Sequence, residues 1–112
     1  GNTSNLLLKI NDKNTDYTII ELIIKPFVNE KINELDLDIF INEVFNSNHK
    51  FKHQKENSQN FKIKLKINNN LVVDNKMNIK FINKNPRSPL DILQSPDSRK
   101  IGFLLRNINL IN

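Results

Sequence analysis

Apolar residues in this chain recur at every second position far more often than at the 3.6-residue helical spacing. Phe61-Lys62-Ile63-Lys64-Leu65-Lys66-Ile67 sets four apolar side chains against three lysines, the pattern of a strand with one buried and one wet face. Met77-Asn78-Ile79-Lys80-Phe81 repeats the alternation. Leu37-Asp38-Ile39-Phe40-Ile41 predicts another strand, with Asn42-Glu43 as a hairpin turn and Val44-Phe45 as the return. Tyr17–Lys25 is dense in β-branched residues and predicts a longer strand, buried over part of both faces. Pro26 closes it, because proline cannot donate to a central ladder. Ser4–Asn11 predicts a shorter strand followed by a turn over Asp12–Asp16. Ile101–Ile111 predicts a final strand, bulged near Arg106-Asn107, since no clean cap or 3.6-residue stripe supports a helix there. Asn68-Asn69-Asn70 is expected to end its strand, because Asn tolerates positive φ and bonds its own backbone in turns. The stretch from His49 to Asn60, polar apart from Phe51, predicts a mobile hairpin loop.

Seven or eight strands spaced in this way, joined by polar turns, predict an all-β fold. The expected architecture is an antiparallel two-sheet β-sandwich, jelly-roll-like, with one Pro-rich ordered loop. A length of 112 residues predicts a single domain over 1–112, with Gly1 read as a remnant of tag removal. No apolar run approaches the ~18–20 residues that cross a bilayer as a helix. The polar start Gly1-Asn2-Thr3-Ser4-Asn5 carries no secretory pattern.

Composition changes how the charge is understood. The chain has 21 Asn, 16 Ile, 14 Lys and no Ala, and Gly102 is the only glycine after the first residue. Asn, Lys and Ile have AT-rich codons, which implies a low-GC bacterial genome. The formal charge of +5 suits an anionic partner, but nucleotide bias alone places Lys on solvent faces. Only three Arg accompany the lysines, whereas phosphate and base recognition favour Arg with interleaved aromatics. No nucleic-acid partner is expected. The absence of cysteine excludes disulfides, thiolate metal sites and cysteine nucleophiles.

Catalytic signals are sparse. His49 and His53 stand four apart, a metal-ligand spacing on a helix. Lys50, Lys52 and Lys55 would repel a cation, so a solvated loop pair is expected instead. No serine lies in a nucleophile-elbow motif, and a glycine-rich phosphate loop needs glycines this chain lacks. Asp36 and Asp38 share a strand face without a partner acid or base in view, and no Asp-rich loop has calcium-binding spacing. The expectation is a non-enzyme without catalytic residues, metal or cofactor.

The segment from Asn85 to Gly102 is the most distinctive. Three of the four prolines fall within it, which predicts a long ordered excursion between two strands. Ser88-Pro89 suits a helical N-cap and first position ahead of Leu90-Asp91-Ile92. Asp97 and Arg99 flank Ser98 and can pair with each other or cap backbone, and Gly102 suits a bend where the chain re-enters the sheet.

These residues also carry a resemblance. Asn85-Pro86, Ser88-Pro89, Asp97-Ser98-Arg99 and Ile101-Gly102, followed by a last strand, are similar in order to the closing signature of a small β-sandwich accessory domain. That domain occurs in bacterial proteins of cell-surface polysaccharide synthesis, often attached to glycosyltransferases. Leu37–Asn42 resembles its strand ending in Val-Asn-Gly, and Tyr17–Pro26 with Phe27 resembles its long strand before a Pro-Phe element. Glu43 stands in place of the turn glycine, and Ile92-Leu93 in place of a Leu-Gly. The similarity spans most of the chain, with its specific motifs in the last third.

The resemblance implies a non-catalytic accessory domain that contacts an acceptor glycan or a neighbouring catalytic transferase domain. Its location would be cytoplasmic, including the inner face of the membrane through a parent protein. Asn85, Arg87, Ser88, Asp97, Arg99 and Gly102 become the expected corner, either structural or ligand-binding. Two alternatives stand beside it: a stand-alone carbohydrate-binding module, and a protein–protein interaction or assembly domain that uses a sheet face or edge. Sugars stack on exposed rings, and the rings expected at the surface are Tyr17, Phe27, Phe45 and Phe51.

Overall fold

The computed structural model describes residues 3–10, 16–26, 28, 34–52, 60–84 and 103–111. Within them lie seven strands: β1 (Thr3–Lys9), β2 (Tyr17–Pro26), β3 (Glu34–Ile41), β4 (Val44–Lys52), β5 (Phe61–Asn68), β6 (Lys76–Asn83) and β7 (Phe103–Ile111). They form two antiparallel sheets, one of four strands in the order β1-β6-β3-β4 and one of three in the order β5-β2-β7. Only the step from β3 to β4 stays within a sheet, and every other consecutive pair changes sheets. This winding is a β-sandwich with jelly-roll order, the seven described strands occupying seven of that fold's eight places.

Period-two alternation is what makes these segments strands of a sandwich. Ile20, Leu22 and Ile24 of β2 and Ile63, Leu65 and Ile67 of β5 point inward from the smaller sheet. Leu35, Leu37, Ile39 and Ile41 of β3 meet them from the larger sheet, with Met77, Ile79 and Phe81 of β6. Each such fully buried side chain contributes about 1.5–3 kcal/mol. Two aromatic contacts tie the layers together. Phe81 and Phe103 lie 5.3 Å apart between β6 and β7, and Phe51 and Phe61 lie 5.0 Å apart between β4 and β5. They place β7 over β6 and β5 beside β4. Lys62, Lys64 and Lys66 all point to solvent, as the alternation predicts.

Two local expectations are corrected. His49–Lys52 continue β4 and are not a loop, because Phe51 and its alternate neighbour His49 face inward, where Phe61 receives the ring. Phe51 is therefore buried and offers no ring to solvent. Asn68-Asn69-Asn70 ends β5 as expected, and of the two properties of Asn it is the bond to its own backbone, not positive φ, that acts here. Asn68 has φ −70° and caps a 3₁₀ turn over Asn69–Leu71, its Oδ1 accepting Asn70 N–H at 2.9 Å. The positive φ values fall at Asn42 and Glu43 (44° and 69°) and at Asp74 and Asn75 (53° and 61°), the left-handed pairs that two-residue hairpin turns require.

The bulge expected near Arg106-Asn107 is present: Ile23 pairs with Asn107 and Ile24 with Leu105, so Arg106 is the extra residue. A second bulge lies in β4, where Ile39 pairs with Ser47 and Phe40 with Phe45, leaving Asn46 as the extra residue. Its side-chain Nδ2 donates to Lys66 O of β5 at 3.1 Å, so the bulge also fastens β4 to the other sheet.

Candidate functional site

The outer face of the four-stranded sheet collects the side chains best suited to holding a polar ligand. Outward positions on β3 are Glu34, Asp36, Asp38 and Phe40, and register sets Lys52, Lys50, Asn48 and Phe45 of β4 opposite them. On the other flank, Ile82 and Lys80 of β6 stand opposite Asp38 and Phe40. Asn5 of β1 lies opposite Lys80.

The geometry is organised around Asn48. Its Nδ2 donates to Asp36 Oδ1 at 2.6 Å and to Asp38 Oδ1 at 2.7 Å, so one amide holds two carboxylates in line. Asp36 and Asp38 share a face, as expected, and the amide between them is the partner the β3 segment alone does not reveal. One step along the face, Phe40 and Phe45 meet edge-on, with ring centroids 5.6 Å apart and planes at 80°. Phe45 is 55% exposed, so one ring surface is open to solvent. Lys80 Nζ lies 5.7 Å from the Phe40 ring and also pairs with the Glu43 carboxylate. Asn78 Nδ2 donates to Asn5 Oδ1 at 3.1 Å. The result is a strip of carboxylates and amides ending at an exposed ring, about 13 Å from Asp36 to Phe40 at the usual strand rise.

The turn between β3 and β4 is braced from within. Asn42 Oδ1 accepts the Asn78 N–H at 2.8 Å, and its Nδ2 donates to Leu71 O and, at 3.3 Å, to Lys76 O. The backbone Asn42 N–H donates to Asn78 O at 2.9 Å. This fixes the end of the hairpin that carries Phe40 and Phe45.

The histidine pair is only half described. His49 lies on the inner side of β4, and Ser47 Oγ and His49 Nε2 are 2.9 Å apart. Partial burial lowers its pKa from the ordinary 6.5, because the charged ring loses solvent. His49 is thus a half-buried strand residue and not part of a solvated loop; His53 lies outside the described residues. Among the described residues no group of three or more His, Asp or Glu is arranged to hold a metal ion.

Of the rings expected at the surface, Tyr17 and Phe45 are exposed. Tyr17 sits on the opposite sheet under Lys66 Nζ, 4.2 Å from the ring centroid. Phe27 lies outside the described residues, as do all six residues of the predicted corner: Asn85, Arg87, Ser88, Asp97, Arg99 and Gly102. The Asn48 bridge escapes sequence reasoning because Asn48 lies 12 and 10 positions from Asp36 and Asp38 and meets them only through the β3–β4 register. No described helix is long and apolar enough to cross a membrane. Comparison with protein-family models, with curated proteins and with solved structures yields no match.

Proposed function

We propose that this β-sandwich is a non-catalytic module that contacts a glycan through the outer face of its four-stranded sheet. The observation that carries the reading is the Asn48-bridged pair Asp36 and Asp38 lying in line with the exposed Phe45 ring. A saccharide presents hydroxyls in its plane and C–H groups on its face. Planar carboxylate and amide groups bond the former, and an open ring receives the latter. Free acceptor positions on the two carboxylates suit hydroxyl or amino donors.

The strip extends over several residues, which favours an oligosaccharide over a single sugar. With one exposed ring on the strip, the affinity is weak, on the order of millimolar. The resemblance of the Asn85–Gly102 segment to accessory domains of surface-polysaccharide transferases gives the biological setting: an acceptor glycan held near a transferase.

The test is titration of ¹⁵N-labelled protein with a panel of neutral, amino and acidic bacterial surface oligosaccharides. Saturable amide shifts at Asp36–Phe40 and Phe45–Asn48 are expected, lost in Phe45→Ala while the fold persists. Shifts confined to 85–102 would move the site away from this face. Unshifted spectra across the panel at millimolar sugar would refute glycan contact.

A further inference from the structure

The two outer faces of the sandwich differ in how their lysines are matched. On the four-stranded sheet Lys50 and Lys52 stand opposite Asp36 and Glu34, and Lys80 pairs with Glu43, while Lys9 and Lys76 face each other at the β1 margin. The three-stranded sheet shows the reverse. Lys62, Lys64 and Lys66 of β5 and Lys25 of β2 lie outward, and the one acid in its three strands is Glu21. Register sets Glu21 opposite Lys64, and its carboxylate lies 3.7 Å from Lys62 Nζ. The Glu21 side chain is 12% exposed against 60% for Lys62, so the negative charge is covered while the positive one stands in water. Asp16, just ahead of β2, is exposed at the margin. Nucleotide bias adds lysines, but it does not sort them onto one face.

Beside the lysine row runs an apolar strip. Ile19 and Ile23 are outward and half-buried on β2, and register places Ile111 opposite Ile19 and Leu104 opposite Lys25. Leu104 and Ile111 are 38% and 37% exposed. Tyr17, also exposed, carries Lys66 Nζ 4.2 Å from its ring centroid. Lysines on alternate residues of a strand stand about 7 Å apart, so β5 presents three ammonium groups in a row about 13 Å long.

We propose that the outer face of the three-stranded sheet docks on an anionic lipid bilayer. The ammonium groups of Lys62, Lys64 and Lys66 meet headgroup phosphates, each lysine near such a surface strengthening binding about five-fold. Their stems and the strip of Ile19, Ile23, Leu104 and Ile111 lie against the interfacial region, where a lysine buries its methylenes and keeps its charge among the headgroups. Tyr17 takes the interfacial position that suits a ring with one apolar and one polar end. The chemistry of the face selects this occupant over other polyanions. Nucleic acid is held by Arg and by several stacking rings, and these three strands hold one Arg and one outward ring. An acidic polysaccharide needs polar partners for its hydroxyls, where β2 offers Ile19 and Ile23. The outer faces of the two sheets point in opposite directions, so the Asp36–Asp38 strip is turned away from the bilayer. Glycan contact and lipid contact can each fail without the other.

The test is co-sedimentation of the full chain with vesicles of equal parts phosphatidylcholine and phosphatidylglycerol, against vesicles of phosphatidylcholine alone. Binding is expected to the mixed vesicles only, and to fall as salt rises. Lys64→Gln with Lys66→Gln leaves the Lys62–Glu21 pair in place and should weaken binding about 25-fold. Lys50→Gln with Lys52→Gln removes the same charge from the opposite face and should weaken it about two-fold or less, since that face lies beyond the screening length. Leu104→Ser should weaken binding and leave its salt dependence unaltered. These positions are exposed, and circular dichroism checks that each variant stays folded. Equal losses from the two lysine pairs would reduce the effect to net charge and overturn the proposal. So would equal binding to both kinds of vesicle, or none to the mixed vesicles at low salt. Lysine-dependent binding to duplex DNA or to an acidic polysaccharide, without vesicle binding, would overturn it in favour of a soluble polyanion.

Discussion

Asn42 is the residue on which the β3–β4 hairpin turns, and its replacement separates two physical effects. At φ 44° it occupies the left-handed region, which costs most residues about 1 kcal/mol or more and asparagine less. Its side chain also makes three bonds: Oδ1 accepts Asn78 N–H, and Nδ2 donates to Leu71 O and Lys76 O. The Asn78 and Leu71 bonds are partly buried and each contributes about 1 kcal/mol net, while the exposed bond to Lys76 adds little. Asn42→Gly keeps the backbone geometry and loses the bonds, so unfolding free energy should fall by about 2 kcal/mol. Asn42→Ala loses the bonds and adds the left-handed penalty, for about 3 kcal/mol. In thermal terms these are drops of about 8–16 °C and 12–24 °C for a domain of this size. Urea unfolding followed by circular dichroism, with the slope held equal across variants, measures both. Equal losses for Gly and Ala would refute the conformational argument. A loss below about 0.5 kcal/mol for Gly would refute the hydrogen-bond argument.

Glu43→Gly tests the neighbouring position, where a glutamate sits at φ 69°. Relief of that backbone cost should outweigh loss of the exposed pair with Lys80, giving a gain of up to about 1 kcal/mol in the same urea assay; a loss would mean the pair is stronger than its exposure implies. His49 supplies a pH dependence of definite sign. Burial depresses its folded pKa below the ordinary 6.5, so its contribution to stability is intact above 6.5 and declines as pH falls below that value toward the folded pKa. Urea midpoints at pH 7.5 and 5.5 should therefore differ less in His49→Gln than in the wild-type chain, and an unchanged difference would remove His49 as the cause.

The strands were legible where alternation was strict. The three lysines between Phe61 and Ile67 specify which face of β5 is wet, and Asn42-Glu43 marks a turn because it separates two apolar runs by two residues. β4 was harder to read beyond Phe45, since His49-Lys50-Phe51-Lys52 has one strongly apolar member and only tertiary contact with Phe61 reveals its inward side. The Asp74-Asn75 turn leaves no hydropathy pattern, because Val73 and Lys76 form a single bridge, too short for any periodicity. The outer strip depended on one extra residue. Without the bulge at Asn46, Ser47 would stand opposite Asp38 and the Asn48 amide would point to the interior, so the carboxylates would lose their common partner. A bulge in a run of short polar residues leaves no signature in hydropathy.

The jelly-roll winding also governs the order in which the chain can assemble. β1 pairs with β6 and β2 with β7, partners separated by most of the sequence, and only β3 and β4 are joined through a two-residue turn. Closing such distant pairings costs chain entropy before any contact repays it, which places this fold among slow folders, in the range of milliseconds to seconds. The β3–β4 hairpin is the one piece that forms without a large loop, so it is the natural nucleus on which the remaining strands condense. The Asn42 turn then acts on the rate of folding more than on the rate of unfolding: weakening it slows the search for the native state and lengthens the time that the unpaired strands of both sheets stand exposed to one another.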